Sequence, residues 1–191
     1  MRNPGRPILA VCALLLAGGF LAGCTSGKPQ SLPTETPRST PTPSPVFTSD
    51  AQALAAATEV YKKYEEVSDE IGRDGGAHPE RIKPYVNSGG YEHERQAAEK
   101  MRAEGSHGVG ATVLNNVVLQ SHEERDGVAT VTIYTCEDIS AVDRVGPDGA
   151  SLVSPDRGDY IAYIAVLKTD KSRDLIIQSN KYWSGGGICK L

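Results

Sequence analysis

The sequence predicts an α+β fold for residues 49–191, with amino-terminal helices packed on one face of a curved antiparallel sheet. Three observations predict it. Apolar residues recur at intervals of three and four from Leu54 to Ile71, the period changes to two beyond Gly110, and two turn signals divide the later part into strand-like runs.

The first helix starts at Ser49, because Ser49 followed three residues on by Gln52 has capping-box spacing. Leu54, Ala57, Tyr61, Tyr64, Val67 and Ile71 supply its apolar stripe, and Gly72 is its expected stop. A short second helix begins at Pro79, a residue suited to a first turn, and Pro84 ends it soon after Lys83. The third runs from Tyr91 to Glu104, with Tyr91, Ala98 and Met101 on one side and Gly105 as terminator. Its apolar face is thin, so it lies on the sheet with one side in water.

Ala111 to Ser121 reads as a strand, Arg125-Asp126-Gly127 as a turn, and Val128 to Glu137 as the antiparallel partner. Tyr160 to Lys168 and Leu175 to Trp183 form a second pair across the polar stretch Thr169 to Arg173. The connection from Asp138 to Asp159 is rich in Asp, Gly and Pro and holds a small hairpin signal at Gly146-Pro147-Asp148-Gly149.

Ahead of this part, Arg2 and Arg6 precede an apolar run from Ile8 to Phe20, and Leu21-Ala22-Gly23-Cys24 closes it. That arrangement has the charged, apolar and small-residue regions of an export signal, and the run is short for a bilayer span. It resembles the lipobox of bacterial lipoproteins. The resemblance implies a signal peptide over 1–23, diacylglyceryl attachment at Cys24, and a lipid-anchored location on the extracytoplasmic face of the cell membrane. Two acyl chains at about 0.8 kcal/mol per buried methylene make a persistent anchor. Residues 24–48 are rich in Pro, Thr and Ser, a composition that cannot bury apolar surface and predicts an extended tether of up to roughly 70 Å.

The chain has 20 Lys and Arg against 24 Asp and Glu, and loss of Arg2 and Arg6 leaves 18 against 24. Acidic balance without a basic cluster argues against nucleic acid or anionic lipid as partner. Of the four cysteines, Cys12 goes with the signal and Cys24 takes lipid, so Cys136 and Cys189 are an expected structural disulfide in an oxidising compartment. It closes a long loop, worth roughly 4 kcal/mol in the chain-entropy model.

Tyr61 and Tyr64, Pro84-Tyr85-Val86, Tyr91 with Glu94, and the Val128-Ala129-Thr130-Val131 strand after Asp126-Gly127 are together similar to the nuclear-transport-factor-2-like superfamily. The likeness covers most of Ser49 to Leu191, and it is also seen in lipoproteins of high-GC Gram-positive bacteria that carry such a domain after a Pro/Thr linker. It implies a cone of helices against a sheet, enclosing a pocket that some members use for catalysis and others for binding or docking.

Motifs of specific chemistry are missing. His78, His93, His107 and His122 are scattered without zinc-site spacing, and Gly105, Gly108 and Gly110 precede a strand, the reverse of a phosphate loop. No Gly-x-Ser-x-Gly elbow occurs in the globular part. The residues therefore predict neither metal nor cofactor. An enzyme of the ketosteroid-isomerase or dehydratase type would need a carboxylate base and a Tyr or His donor meeting in the cone. Tyr64, Tyr134, Tyr163, Asp138 and Asp143 have suitable chemistry, but nothing in their spacing brings them together. The reading that follows is a non-catalytic binding or protein-interaction module at the cell envelope, with an envelope protein or a small ligand as partner. Tyr64, Tyr134, Tyr163 and Trp183 are its expected pocket or contact residues, Trp183 packing against the helices. The loop Asp143 to Asp159 and Gly185-Gly186-Gly187 are candidate recognition loops. Two alternatives stand beside it: an isomerase- or dehydratase-like enzyme using the cone, and a prophage-encoded surface-exclusion lipoprotein.

Overall fold

The computed structural model describes residues 44–185 and 187–190. The expected signal peptide, Cys24, most of the expected tether, Gly186 and Leu191 lie outside the described residues.

Helix α1 spans Asp50–Arg73. Ser49 Oγ accepts from the Gln52 amide at 3.2 Å, which satisfies one free amide of the first turn, and the Gln52 side chain returns to accept from the amide of Thr48, ahead of the cap, at 2.7 Å. Ala53, Ala57, Tyr61 and Ile71 are its buried positions. Gly72 does not stop the helix; it lies in the last turn, and Asp74 is the cap. The first short strand, β1 (His107–Val109), passes so close there that a Cβ on its Gly108 would come within 3.1 Å of the Gly72 carbonyl carbon. The close contact at this point constrains Gly108 rather than Gly72, whose own Cβ would stand 4.0 Å from the Gly108 Cα.

Pro79–Ile82 forms a single 3-10 turn that buries Ile82 completely. The next segment meets the sheet edge, with the Asn87 amide donating to Ile177 O at 3.0 Å and the Ile177 amide to Tyr85 O at 2.7 Å. Helix α2 then runs Ser88–Glu104 and starts three residues before the expected Tyr91. Its cap is Asn87, whose Oδ1 accepts from the Gly90 amide at 2.8 Å while Nδ2 donates to Gln178 O at 3.0 Å. Asn87 thus fixes the helix start and the edge of the sheet together. Gly105, at φ 61°, closes α2 in the left-handed conformation.

The main sheet is antiparallel throughout, in the order β2-β3-β5-β6, with β2 Val113–Arg125, β3 Val128–Asp138, β5 Tyr160–Thr169 and β6 Leu175–Tyr182. Strand β4 (Asp143–Val145) pairs with β1 apart from it. Asp126 and Gly127 both take positive φ in the tight β2–β3 turn, as an Asp-Gly hairpin requires. Register shifts at Leu114/Asn116, Leu119/Ser121 and Val166/Leu167 bend the strands and curve the sheet. Both helices lie on one face. The core there joins Ala53, Ala57 and Ile82 to Val131, Ile133, Ala165, Leu167, Leu175 and Ile177.

Candidate functional site

Beyond Ala57 the residues of α1 that face the sheet become polar. Tyr61 is wholly buried, and its hydroxyl donates to Glu137 Oε1 at 2.6 Å while accepting from Asn180 Nδ2 at 2.9 Å. Glu137 is 5% exposed because it occupies the inward phase of β3, continuing the series Val131, Ile133 and Thr135. One turn after Tyr61, Glu65 hydrogen-bonds to Glu137. A further turn on, Asp69 accepts from the amide and hydroxyl of Thr112 at 2.7 and 3.1 Å. Tyr64, on the flank toward α2, donates to Glu94 Oε1 at 2.8 Å.

Of these groups Tyr64, Glu65, Glu94, Glu137 and Asn180 border a cavity of about 490 Å³ between α1, α2 and the sheet. Tyr64, Glu65, Glu94, Glu137, Tyr163 and Asn180 supply its polar lining, and Val86 and Ile177 an apolar side. His93 and Lys181, both exposed, stand at its mouth. The cone is therefore open to a small molecule. A second hollow of about 620 Å³ lies between α1 and β2, bordered by Leu54, Thr58, Lys62 and residues 112–117, and Glu65 borders both.

Burial without a compensating cation governs the electrostatics. It pushes the Glu137 carboxyl up to about 7, against the pull of the hydrogen bonds from Tyr61 and Glu65. Burial, then the charge of Glu137, and then those of Asp69 and Glu94 hold Glu65 well above the usual carboxylate range. Burial first, and the neighbouring carboxylates second, raise the hydroxyls of Tyr61 and Tyr64, and Tyr163 is pushed up to about 12 in the same way. The arrangement offers a carboxyl poised near neutrality beside fixed hydroxyl donors, which suits either proton transfer or recognition of a donor-rich ligand.

The expected residues are divided by the sheet. Tyr64 and Tyr163 line the cavity. Tyr134 alternates with the inward Ile133 and Thr135, so it points to the opposite face, where its ring packs on Trp183 at 4.8 Å between centroids. Trp183 does not pack against the helices, because the chain after β6 turns onto that outer face. The Cys136–Cys189 disulfide, with a Cα separation of 5.2 Å, holds the tail there. Asp138 and Asp143 are occupied in the long connection, where Asp138 accepts from Ser140 and Asp143 from Ser151. His122 sits between Asp50 and Glu124 at 3.2 and 3.4 Å, away from the cavity. Among the described residues no group of three His, Cys, Asp or Glu side chains could share a metal ion.

Sequence reasoning missed Tyr61, Glu65, Glu94, Glu137 and Asn180 as site residues. Strand period alone carries one signal that could have found Glu137: it falls in phase with Val131 and Ile133, where an ionisable residue is out of place.

No known family model matches the sequence, and no curated protein matches it. Among solved structures, the intermembrane space region of chloroplast protein ARC6 is similar over 69% of this chain and 97% of its own, with a TM-score of 0.51 and 13% identity. Aln2 from a Streptomyces species is similar over 70% of this chain and 91% of its own, with a TM-score of 0.40 and 17% identity. For ActVI-ORFA from Streptomyces coelicolor the shares are 69% and 96%, the TM-score 0.39 and the identity 17%. At these identities the likeness is one of fold alone, and the fold is α+β, with two helices on one face of a curved antiparallel sheet.

Proposed function

We propose that this chain is a lipoprotein, anchored through Cys24 at the extracytoplasmic face of the cell membrane, whose cone is a non-catalytic module that binds a small molecule at the cell envelope. One observation carries the binding part: the cavity of about 490 Å³ is bounded by built, hydrogen-bonded polar groups rather than filled by side chains. The anchoring part rests on the lipobox resemblance. Native mass spectrometry of the anchored protein drawn from its own envelope tests the pair. A bound small molecule, and its loss with a Tyr64→Trp variant that fills the cavity, are expected. An empty cavity with one stoichiometric protein cross-linked to the outer face of the sheet would overturn the ligand reading. A Cys24→Ala protein that still partitions with membrane would overturn the anchor.

A second reading, an isomerase- or dehydratase-like enzyme, is favoured by one observation: Glu137, placed near 7 beside Tyr163, has the poise of a general base facing a hydroxyl donor. Recovery of the co-purified ligand unchanged after prolonged incubation supports binding alone. Conversion that disappears in Glu137→Gln supports the enzyme.

A further inference from the structure

The end of the chain lies across the outer face of the sheet instead of joining it. Tyr134 and Cys136 take the outward phase of β3, and the register sets Asn116, Cys136 and Ala162 side by side on β2, β3 and β5. The tail touches each member of that row. The Trp183 amide donates to Ala162 O at 2.8 Å, Cys189 is bonded to Cys136, and Asn116 Nδ2 donates to Ile188 O at 3.4 Å. A segment laid across three strands cannot extend the hydrogen-bond ladder of any one of them. The ladder between β5 and β6 accordingly ends at the Tyr163–Tyr182 pair, before the tail begins.

The tail is therefore held by point contacts. Among the described residues from Ser184 onward, the hydrogen bonds are the long one from Asn116 and one within the tail, from the Lys190 amide to Gly187 O at 3.2 Å. Trp183 rests on Tyr134, and the chain doubles back over the indole so tightly that a Cβ on Gly185 would stand 2.4 Å from the ring. Beyond that turn the tail is not packed down. A hollow of about 240 Å³ lies beside it, bordered by Tyr160, Ala162, Trp183, Ile188 and Cys189. One covalent bond thus does what neither packing nor backbone pairing does. Its two sulfur-bearing residues also differ in access, since Cys136 is 2% exposed and Cys189 is half-buried at the edge of the hollow.

We propose that the Cys136–Cys189 disulfide is a reducible lock on a C-terminal strap: a dithiol opens it, the tail beyond Trp183 leaves the outer face, and the cone stays folded. The first thiolate of the dithiol attacks Cys189 Sγ, on the more accessible residue, and Cys136 Sγ departs and takes a proton. The second thiol attacks the resulting mixed disulfide, which frees Cys189 as a thiol and closes the reductant's own disulfide. Two electrons and two protons pass from the dithiol to the protein. The opened face presents Tyr134, the Cys136 thiol and Ala162 where the closed face presents the strap. This device is independent of what the cavity on the opposite face holds.

The test exposes the full chain, in detergent and without denaturant, to dithiothreitol, and follows alkylation of thiols and amide hydrogen exchange by peptide mass spectrometry. Alkylation of both Cys136 and Cys189 is expected, with protection of the tail after Trp183 falling at least about tenfold while that of β3, β5 and β6 is kept. Cys189→Ser, which leaves the buried Cys136 in place, is expected to show the same released tail without reductant. A disulfide that yields to dithiothreitol only in urea would overturn the lock, because its sulfurs would then be reached only through unfolding. Protection lost across α1, β5 and β6 together would also overturn it, by making the bond a staple of the core. Unchanged protection of the tail after reduction would do the same, by showing the strap held without the bond.

Discussion

Helix α1 crosses one sheet but meets it in two different ways. Its first turns present Ala53 and Ala57, both 0% exposed, to a cluster with Val131, Ile133, Ala165 and Leu167, so small side chains allow close approach and nothing polar is trapped. Its later turns present Tyr61, Tyr64, Glu65 and Asp69, which hold the helix off the sheet and leave a cavity. The first end contributes stability through burial and packing. The second gives some of it up, because buried carboxyls and hydroxyls must be satisfied by one another. A cone with one closed end and one polar end can be rigid and still receive a ligand.

The largest effect should come from the closed end. Leu167→Ala removes a wholly buried side chain from close-packed surroundings, and a loss of about 3 kcal/mol is expected from transfer and cavity costs together. Urea denaturation should show a lowered midpoint at unchanged slope. A loss below about 1 kcal/mol would mean that the closed end relaxes freely, and the contrast between the two ends would fail.

The polar end should reveal itself through pH. Glu137 titrates at 4.5 in an unperturbed chain and at about 7 in the fold, so the folded state holds the proton more tightly. Its contribution to stability is fully present below about pH 4.5 and is lost as pH rises toward about 7, with a slope of at most about 1.4 kcal/mol per pH unit for one proton. Glu65 acts in the same direction. Glu124, held low chiefly by the Phe47 amide, acts in the opposite direction and only below that window. Thermal unfolding midpoints between pH 5 and 7.5 should therefore fall in the native protein and stay flatter in Glu137→Gln. Equal slopes in the two proteins would show that the carboxyl pair does not hold the proton.

The same contrast explains what the sequence disclosed. The stripe Leu54, Ala57, Tyr61, Tyr64, Val67 and Ile71 reads directly as α1, and Asp126-Gly127 as a hairpin, because local periodicity and turn stereochemistry decide those features. The start of α2 was hidden by Gly89 and Gly90, which look like breakers. Gly90 is needed there because a Cβ would come within 2.9 Å of Val86 Cβ, a contact that depends on where the preceding segment joins β6. Glu65 and Glu94 look like a solvated helix face in sequence. Their inward role depends on α2 crossing near the far half of α1, which no spacing within either helix encodes. Tyr134 and Tyr163 are alike in composition and strand context, and only the register that sets their phase sends one outward and the other into the cone.

The smallest effect should separate the rim of the cavity from its floor. Tyr64 donates to Glu94, whose side chain is 20% exposed, so Tyr64→Phe leaves an acceptor that water can reach. A cost of about 0.5–1 kcal/mol is expected, with little change in the dependence of stability on pH. Tyr61→Phe removes the donor to a carboxyl that is 5% exposed and also strands Asn180 Nδ2, so about 1–2 kcal/mol is expected, with the Glu137 carboxyl moved further upward. A double-mutant comparison of the two tyrosines with Glu137→Gln, by urea denaturation at pH 6, resolves them: coupling should be large for Tyr61 and near zero for Tyr64. Equal coupling would place both hydroxyls in one network and remove the distinction between rim and floor.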